Sequence, residues 1–186
     1  NSEILGEYWL TYIPCDWSEY GAGRNNLRRG HLPPVTGVLC NPYAESNGAF
    51  IRSEIWAAIA AGKPRLAAYF AWQDAVVDHA GGEGVFGEIF NAALEAAAYL
   101  STDVPALIRE ALTYIPATSR VHGAVSLMLS LYEQGTHLLA AREQVLAKFG
   151  DPNFTDAPQN IAFGLNVFSD GTMVTKGYDM SFGRTL

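Results

Sequence analysis

Residues 84–100 have the sequence GVFGEIFNAALEAAAYL, and this stretch decides the fold class. Its apolar residues recur at helical spacing and form one broad stripe: Val85, Phe86, Ile89, Phe90, Ala93, Leu94, Ala97 and Leu100. A stripe this wide is typical of a helix that is buried on most of its surface. The stretch therefore predicts a central helix with other helices packed around it.

Segments on both sides of this stretch carry helix start and stop signals. Ser2, Ser119 and either Thr102 or Asp103 are candidate N-caps. Pro64 is a candidate first-turn residue, and Gly62 is a candidate helix end. Small polar residues cap helix starts, Pro suits a first turn, and Gly suits a helix end. A last helix is expected near residues 159–168. These signals predict an all-α protein, an orthogonal bundle of several helices.

The segment 15–48 differs from the rest because its residues up to 47 include seven Gly or Pro and show no sustained period. We predict a long loop there, and long loops within compact domains are commonly functional. Residues 1–168 are expected to form one helical domain that is a piece of a larger one. Residues 169–186, rich in Gly, Ser and Thr, are expected to form an irregular tail.

Composition limits the function classes. The chain of 186 residues is 49% apolar with a net charge of -7, which argues against nucleic acid and anionic membranes as partners. No run approaches the ~20 apolar residues that span a bilayer. Cys15 and Cys40 are consistent with a disulfide or with free thiols. We expect a cytoplasmic location, and an acidic, Ala-rich chain suits a bacterium.

Two bends stand out as a candidate site. Residues 45–52, ESNGAFIR, form a small polar turn before a helix start, and residues 74–82, DAVVDHAGG, end a helix in a His and two Gly. Unpaired N–H groups at a helix start suit an anion such as phosphate. We predict that the two bends converge on a pocket for a diphosphate-linked sugar. Asn47-Gly48 is also a common tight turn, and His79 is also a suitable C-terminal cap.

The charged residues near these bends have competing interpretations. Asp74 and Asp78 share one helix face at i and i+4, which suits metal binding or acid–base chemistry, and also suits solvated or capping roles. Arg52 suits a structural ion pair or a ligand contact. Glu45 is the carboxylate nearest the Asn-Gly turn and is a candidate general base.

The order of these segments resembles the ADP-ribosylglycohydrolase family. The resemblance rests on a helix followed by residues 13–17 (IPCDW), a Gly-rich loop, SNGAFIR at 46–52, the 74–79 turn and the long Ala-rich helix from Gly84. It extends over roughly residues 3–168. It implies an all-α fold with a cleft in which the glycosidic bond between ADP-ribose and an acceptor is cut, assisted by two Mg²⁺ ions.

The family resemblance also implies site residues. Positions of the Asn-Gly loop and the His turn carry over as substrate contacts, with a nearby tyrosine as a base-stacking group: Tyr43, Ser46, Asn47, Gly48, Ala49 and His79. The metal ligands are incomplete, because no acidic pair precedes the first helix and Ser181 replaces the second Asp of a Gly-x-Asp-x-Asp segment. Asp179 is therefore a weak metal-ligand candidate, and no catalytic residue is identified.

The leading functional prediction is a hydrolase of ADP-ribosyl conjugates that is incomplete or inactive as this chain alone. The alternatives are a non-catalytic module for an ADP-ribose-like ligand or a protein, and a helical protein without a small ligand. The expected partner is an ADP-ribosylated protein or a small ADP-ribosyl conjugate. Apolar helix faces left uncovered would favour a homo-oligomer or a partner chain that completes the fold.

Overall fold

The protein is all-α, as predicted. The computed structural model describes residues 1–166, so the tail predicted at 169–186 lies outside the described residues. Within this range there are ten α-helices, one 3₁₀ turn and no strand. The elements are α1 (Ser2–Tyr12), α2 (Ser18–Arg28), α3 (Val35–Val38), the 3₁₀ turn (Phe50–Arg52), α4 (Glu54–Ile59), α5 (Pro64–Ala75), α6 (Glu83–Ala98), α7 (Val104–Leu112), α8 (Arg120–Glu133), α9 (Leu138–Phe149) and α10 (Ala157–Asn166).

Helix α6 is the central element, which confirms the prediction from residues 84–100. It contacts α4, α5, α7, α8, α10 and the 3₁₀ turn. Phe90 and Ala93 on this helix are fully buried in the main apolar core, which α7, α8 and α10 complete. Burial of this apolar surface is the principal favourable term that holds the bundle together.

A separate seam between α4, α5 and α6 consists almost only of alanine. Its buried members are Ala57, Ala60, Ala67, Ala71, Ala92 and Ala96. Such small side chains allow helix backbones to approach closely, and the Gly62 N–H donates a 2.9 Å hydrogen bond to the Ala96 carbonyl. The seam therefore has little spare volume for larger side chains.

Helix starts largely follow the capping signals. The side chains of Asp103 and Ser119 cap α7 and α8, and Pro64 begins α5, as predicted. The prediction for Ser2 was wrong by one residue, because the Asn1 side chain accepts from the Ile4 N–H and Ser2 is already helical. Helix α4 ends at Ile59, before Gly62.

The predicted loop at 15–48 contains an 11-residue helix, α2, and the short helix α3. The prediction of a long loop was therefore wrong for the residues of these two helices. Buried Asn26 on α2 donates hydrogen bonds of 2.9 Å and 2.7 Å to the carbonyls of Thr36 and Leu39. These bonds tie the segment around α3 to α2, so much of this region is ordered by polar contacts rather than by an apolar stripe.

Several apolar side chains of α1, α4 and α5 and of the 3₁₀ turn are exposed. They are Ile4, Tyr8, Tyr12, Ile51, Ile55, Ile59, Leu66, Tyr69 and Trp72. Exposed apolar surface of this kind is typical of contact with another chain. Association with a second copy or a partner chain stays a prediction.

Two expectations from composition can be compared with the described residues. No helix within 1–166 is both long enough and apolar enough to cross a bilayer. The sequence left open whether Cys15 and Cys40 form a disulfide or remain free thiols. In the structure both are free thiols.

The alanine seam yields a matched pair of substitutions. Ala57→Leu should lower the free energy of unfolding by about 1–3 kcal/mol, because the larger side chain overpacks the seam. Ala58→Leu, at the adjacent exposed position on α4, should change it by less than about 0.5 kcal/mol. Urea denaturation of the two variants checks this, and equal losses would show that the seam has room for larger residues.

Candidate functional site

Arg52 is the centre of a buried ionic cluster. Its Nε donates to Asp74 Oδ2 at 2.6 Å, its Nη2 donates to Asp78 Oδ1 at 2.7 Å, and its Nη1 donates to Asp78 Oδ2 at 3.1 Å. Asp74 is 5% exposed and Asp78 is fully buried. Of the two roles left open for Arg52, the structure shows the ion pair. The two aspartates are neither solvated nor helix caps.

Aromatic rings cover the Arg52 guanidinium. The rings of Trp9 and Tyr20 stack with centroids 5.3 Å apart, and Arg52 Cζ lies 5.2 Å and 5.4 Å from the two centroids. Trp9 belongs to α1 and Tyr20 to α2, so the guanidinium joins these helices to the 3₁₀ turn. Cation–π contact and ion pairing therefore act together on one guanidinium, whose side chain is 19% exposed.

Asp78 stays ionised in this cluster. Burial by itself would raise the pKa of the Asp78 carboxyl, but the Arg52 guanidinium and the adjacent His79 outweigh burial and lower it to about 2. A buried carboxylate is tolerated here because it has two charge-assisted hydrogen bonds to one planar guanidinium.

The two predicted bends do meet. Ser46 Oγ lies 3.0 Å from His79 Nε2, and both side chains are buried. His79 Nδ1 lies 2.9 Å from Asp78 Oδ1, although the two atoms are not aligned for a hydrogen bond. The row Ser46–His79–Asp78 thus has the spacing of a nucleophile, a base and an orienting acid. Burial keeps a substrate from Ser46, and Arg52 holds the Asp78 carboxylate, so the row links the two bends instead.

The remaining residues of the predicted site differ in exposure. Ala49 and Gly48 are buried, Asn47 is half-buried, and Tyr43 is 41% exposed. The Asn47 side chain has no hydrogen-bond partner within residues 1–166. Of the six predicted substrate residues, Asn47 and Tyr43 are therefore the two that present side-chain surface to an incoming ligand. The substrate-binding roles themselves stay predictions.

The loop is held by its Gly48 carbonyl. That oxygen accepts from the Tyr20 hydroxyl and from Arg52 Nη1, each at 3.2 Å. The space beside the Gly48 Cα is filled by the carboxylate of Glu19, and a Cβ at this position would collide with Glu19 Oε1. The sequence predicted that the turn around this glycine suits a ligand phosphate. The structure shows that glycine admits a carboxylate of the chain itself.

Glu45, the candidate general base, has a capping contact. Its carboxylate accepts a 2.7 Å hydrogen bond from the Glu83 N–H at the start of α6. The Glu83 carboxylate in turn accepts from the N–H groups of Arg120 and Val121 at the start of α8, each at 2.8 Å. Carboxylates at helix N-termini are stabilised by the helix dipole, so both groups support the scaffold.

Glu88 on α6 was not identified from the sequence as part of the site. It is fully buried, and within residues 1–166 neither carboxylate oxygen has a hydrogen-bond partner. Burial raises the pKa of Glu88 well above its ordinary value, and the negative charge of Asp74 adds to this effect. Glu88 is the fifth residue of the stretch 84–100, and the local sequence gives no sign of its proximity to Asp74.

The described residues do not reproduce a family-type metal site. No group of three or more His, Cys, Asp or Glu side chains within residues 1–166 is arranged to hold a metal ion. Arg52 already occupies the carboxylates of Asp74 and Asp78. The metal candidate Asp179 lies outside the described residues, so it stays a prediction.

An open depression of about 460 Å³ lies elsewhere, at the start of α5. It is lined by Lys63, Pro64, Arg65, Leu66, Tyr69 and Tyr114. None of the predicted site residues contributes to it. The bends at 46–48 and 78–79 are therefore a tightly packed junction with a half-exposed loop, rather than the walls of that depression.

Comparison with known proteins identifies the family. The model of the ADP-ribosylglycohydrolase family matches residues 6–181, which is most of the chain. The chain therefore belongs to the ADP-ribosylglycohydrolase family, a family of hydrolases, as the order of its segments predicted. No curated protein and no solved structure matched it.

Replacement of Arg52 tests the importance of the ionic cluster. Arg52→Ala should lower the free energy of unfolding by about 3–5 kcal/mol, because Asp74 and Asp78 would remain buried without a counter-charge. The control Arg28→Ala removes an arginine from an exposed pair with Asp16 and should leave the urea midpoint nearly unchanged. Similar small effects of both substitutions would contradict a structural role for the cluster.

Glu95 gives a prediction about pH. Its burial, together with the nearby negative charge of Glu54, raises its pKa from 4.5 to about 7, and the hydrogen bond from Ser53 opposes this only in part. The folded chain therefore binds the Glu95 proton more tightly than the unfolded chain does. The contribution of protonated Glu95 to the free energy of unfolding is complete below pH 4.5, and it is lost as the pH rises through 7.

Glu95→Gln removes this titration. Relative to the parent, the variant should gain about 1–3 kcal/mol of unfolding free energy between about pH 4.5 and pH 8. Glu143→Gln, at an exposed position on α9, serves as the control and should follow the parent curve. Urea midpoints across this pH range check the difference, and parallel curves for parent and Glu95→Gln would contradict the raised pKa.

Proposed function

We propose that the chain is an ADP-ribosylglycohydrolase that acts on ADP-ribosyl conjugates and uses the loop 43–49 to contact its ligand. In this reaction water replaces an acceptor group at the anomeric carbon of ADP-ribose, and the acceptor is a protein side chain or a small molecule. The observation that supports this most is the 3.0 Å contact between Ser46 and His79, which joins the two family-typical bends.

Within this proposal the loop residues divide into two groups. Asn47 and Tyr43 touch the ligand, since both keep exposed surface and Asn47 has an unused amide. Ser46, Ala49 and His79 position the loop from behind, since they are buried. A loop fixed in this way needs little ordering when a ligand binds, and this lowers the entropic cost of binding.

That Mg²⁺ assists the reaction remains an expectation from the family resemblance. Mg²⁺ prefers several hard oxygen ligands in octahedral geometry, which the carboxylates described in residues 1–166 do not provide. We therefore assign no step of the reaction to a metal. We further propose a cytoplasmic location, since free Cys15 and Cys40 suit a reducing compartment.

A second candidate function is a non-catalytic module that binds an ADP-ribose-like ligand. The observation that favours it is that protein groups alone hold the loop, through the Ser46–His79 contact and the hydrogen bonds to the Gly48 carbonyl. The two candidates share the ligand and the loop, and they differ in their dependence on Mg²⁺ and in turnover.

Calorimetric titration with ADP-ribose tests both candidates. We expect binding, and loss of the Asn47 amide in Asn47→Ala should weaken it about tenfold, which is the effect of losing one hydrogen bond of about 1.4 kcal/mol. Asn25→Ala, which removes an exposed amide on α2, is the control and should bind as the parent does.

The same titration with and without Mg²⁺ separates the candidates. Binding that requires Mg²⁺, together with ADP-ribose release from a modified arginine or serine peptide, supports the hydrolase. Binding that is independent of Mg²⁺ without turnover supports the module. Equal affinity of the parent and Asn47→Ala would contradict the assignment of this loop, and no binding under either condition would contradict both functions.

A further inference from the structure

Helix α5 carries a row of exposed apolar side chains along its outer side. Leu66, Tyr69 and Trp72 follow one another at intervals of three residues, and each is between 38% and 53% exposed. Residues three apart on a helix are neighbours on its surface. An apolar row of this kind marks a contact surface for another chain.

The start of this row is basic. Lys63 and Arg65 are exposed there, and within residues 1–166 neither side chain forms an ion pair or a hydrogen bond. They lie at the open depression of about 460 Å³, whose apolar lining includes Leu66, Tyr69 and Tyr114. Two unpaired cations beside an apolar recess are complementary to a segment that is both acidic and apolar.

The other end of α5 adjoins an acidic surface on α1. The Ser2 N–H donates a 2.7 Å hydrogen bond to Gln73 Oε1, which places the start of α1 beside the last turn of α5. Glu3 and Glu7 are exposed on this part of α1, and among the described residues neither side chain has an ion pair or a hydrogen bond. Between them in sequence, Ile4 is also exposed. The surface therefore runs from basic, through apolar, to acidic.

A surface with this order of charges is complementary to a second copy of itself. Helix α5 has 12 residues, so it is about 18 Å long, and Tyr69 lies near its middle. A twofold axis through the Tyr69 position sets two copies of α5 antiparallel. Each basic end then faces the acidic end of the other copy, and the two apolar rows face each other. Such a contact is closed, because the same patch serves both subunits.

We propose that the chain forms a twofold dimer through this α5 surface, with the start of α1 seated in the depression of the other subunit. Glu3 and Glu7 pair with the partner's Lys63 and the partner's Arg65, while Ile4 fills the apolar part of the recess. The apolar row supplies most of the affinity, and the charges at its two ends set the orientation. The dimer does not depend on the proposed function.

Sedimentation velocity over a range of protein concentrations tests the apolar centre of the contact. The parent should show a reversible equilibrium between monomer and dimer. Tyr69→Arg should weaken dimerisation at least about tenfold, because it removes an aromatic contact and sets two like charges across the axis. Tyr132→Arg, at a similarly exposed tyrosine on α8, is the matched control and should dimerise as the parent does.

Charge exchange tests the orientation. Lys63→Glu with Arg65→Glu should weaken the dimer, and so should Glu3→Lys with Glu7→Lys, because each pair of substitutions sets like charges against each other. All four substitutions together should restore most of the affinity, since the opposed charges are then exchanged in both subunits. Arg142→Glu with Lys148→Glu, both at exposed positions on α9, makes the same change in net charge as the first pair and should leave dimerisation unchanged.

The same measurements can overturn the proposal. A parent that stays monomeric at every concentration would show that no second copy covers this surface. An oligomer other than a dimer, or a dimer that Tyr69→Arg leaves intact, would show that the chain associates through other residues. Failure of the four combined substitutions to bind more tightly than either pair alone would contradict the antiparallel arrangement.

Discussion

The contacts of the half-buried Arg52 guanidinium are the interactions on which the arrangement of the site depends. It contacts the carboxylates of Asp74 and Asp78, the carbonyl of Gly48 and the rings of Trp9 and Tyr20. These groups come from four separate parts of the chain. Apolar contacts alone would leave their relative positions loosely specified, because an apolar surface has no preferred partner atom. A planar cation with five directed donors specifies them.

This interaction also determines which carboxylates are charged. Asp78 has the guanidinium beside it and stays ionised, whereas Glu88 is equally buried but faces Asp74 and has its pKa raised. Glu19, at the edge of the same region, has no partner among the described residues. The charge state of each carboxyl therefore depends on whether this one cation lies beside it.

Around the Arg52 cluster, carboxylates at the starts of helices connect the helices to one another. Glu45 caps α6, Glu83 caps α8, and Arg120 pairs with Asp156 just before α10. Ser46 and Asp156 also form an isolated antiparallel bridge. The loop 45–49 is therefore joined directly to the starts of α6 and α10, as well as to the Arg52 cluster. This multiple attachment explains how a half-exposed loop can be rigid without an apolar core of its own.

Most helices from α5 onward were predictable from local signals. The stripe at 84–100, the caps Asp103 and Ser119 and the first-turn Pro64 each depend on neighbouring residues alone. Helix α2 was missed because its buried positions are Glu19, Gly21, Gly23, Asn26 and Leu27. They repeat with helical spacing, but four of the five are polar or glycine. A search for apolar periodicity cannot detect a helix that buries polar groups and backbone.

The sequence by itself determined the all-α class, the central helix, the family and the proximity of the bends at 46–48 and 78–79. Only the tertiary structure decided that His79 is buried, that Arg52 binds both aspartates, and that Glu19 faces Gly48. The reason is physical: helix formation and capping depend on residues within a turn or two of each other. Ion pairing and burial depend instead on which distant segments meet. The hydrogen bond from the Tyr20 hydroxyl to the Gly48 carbonyl, for example, joins residues that are 28 positions apart in the chain.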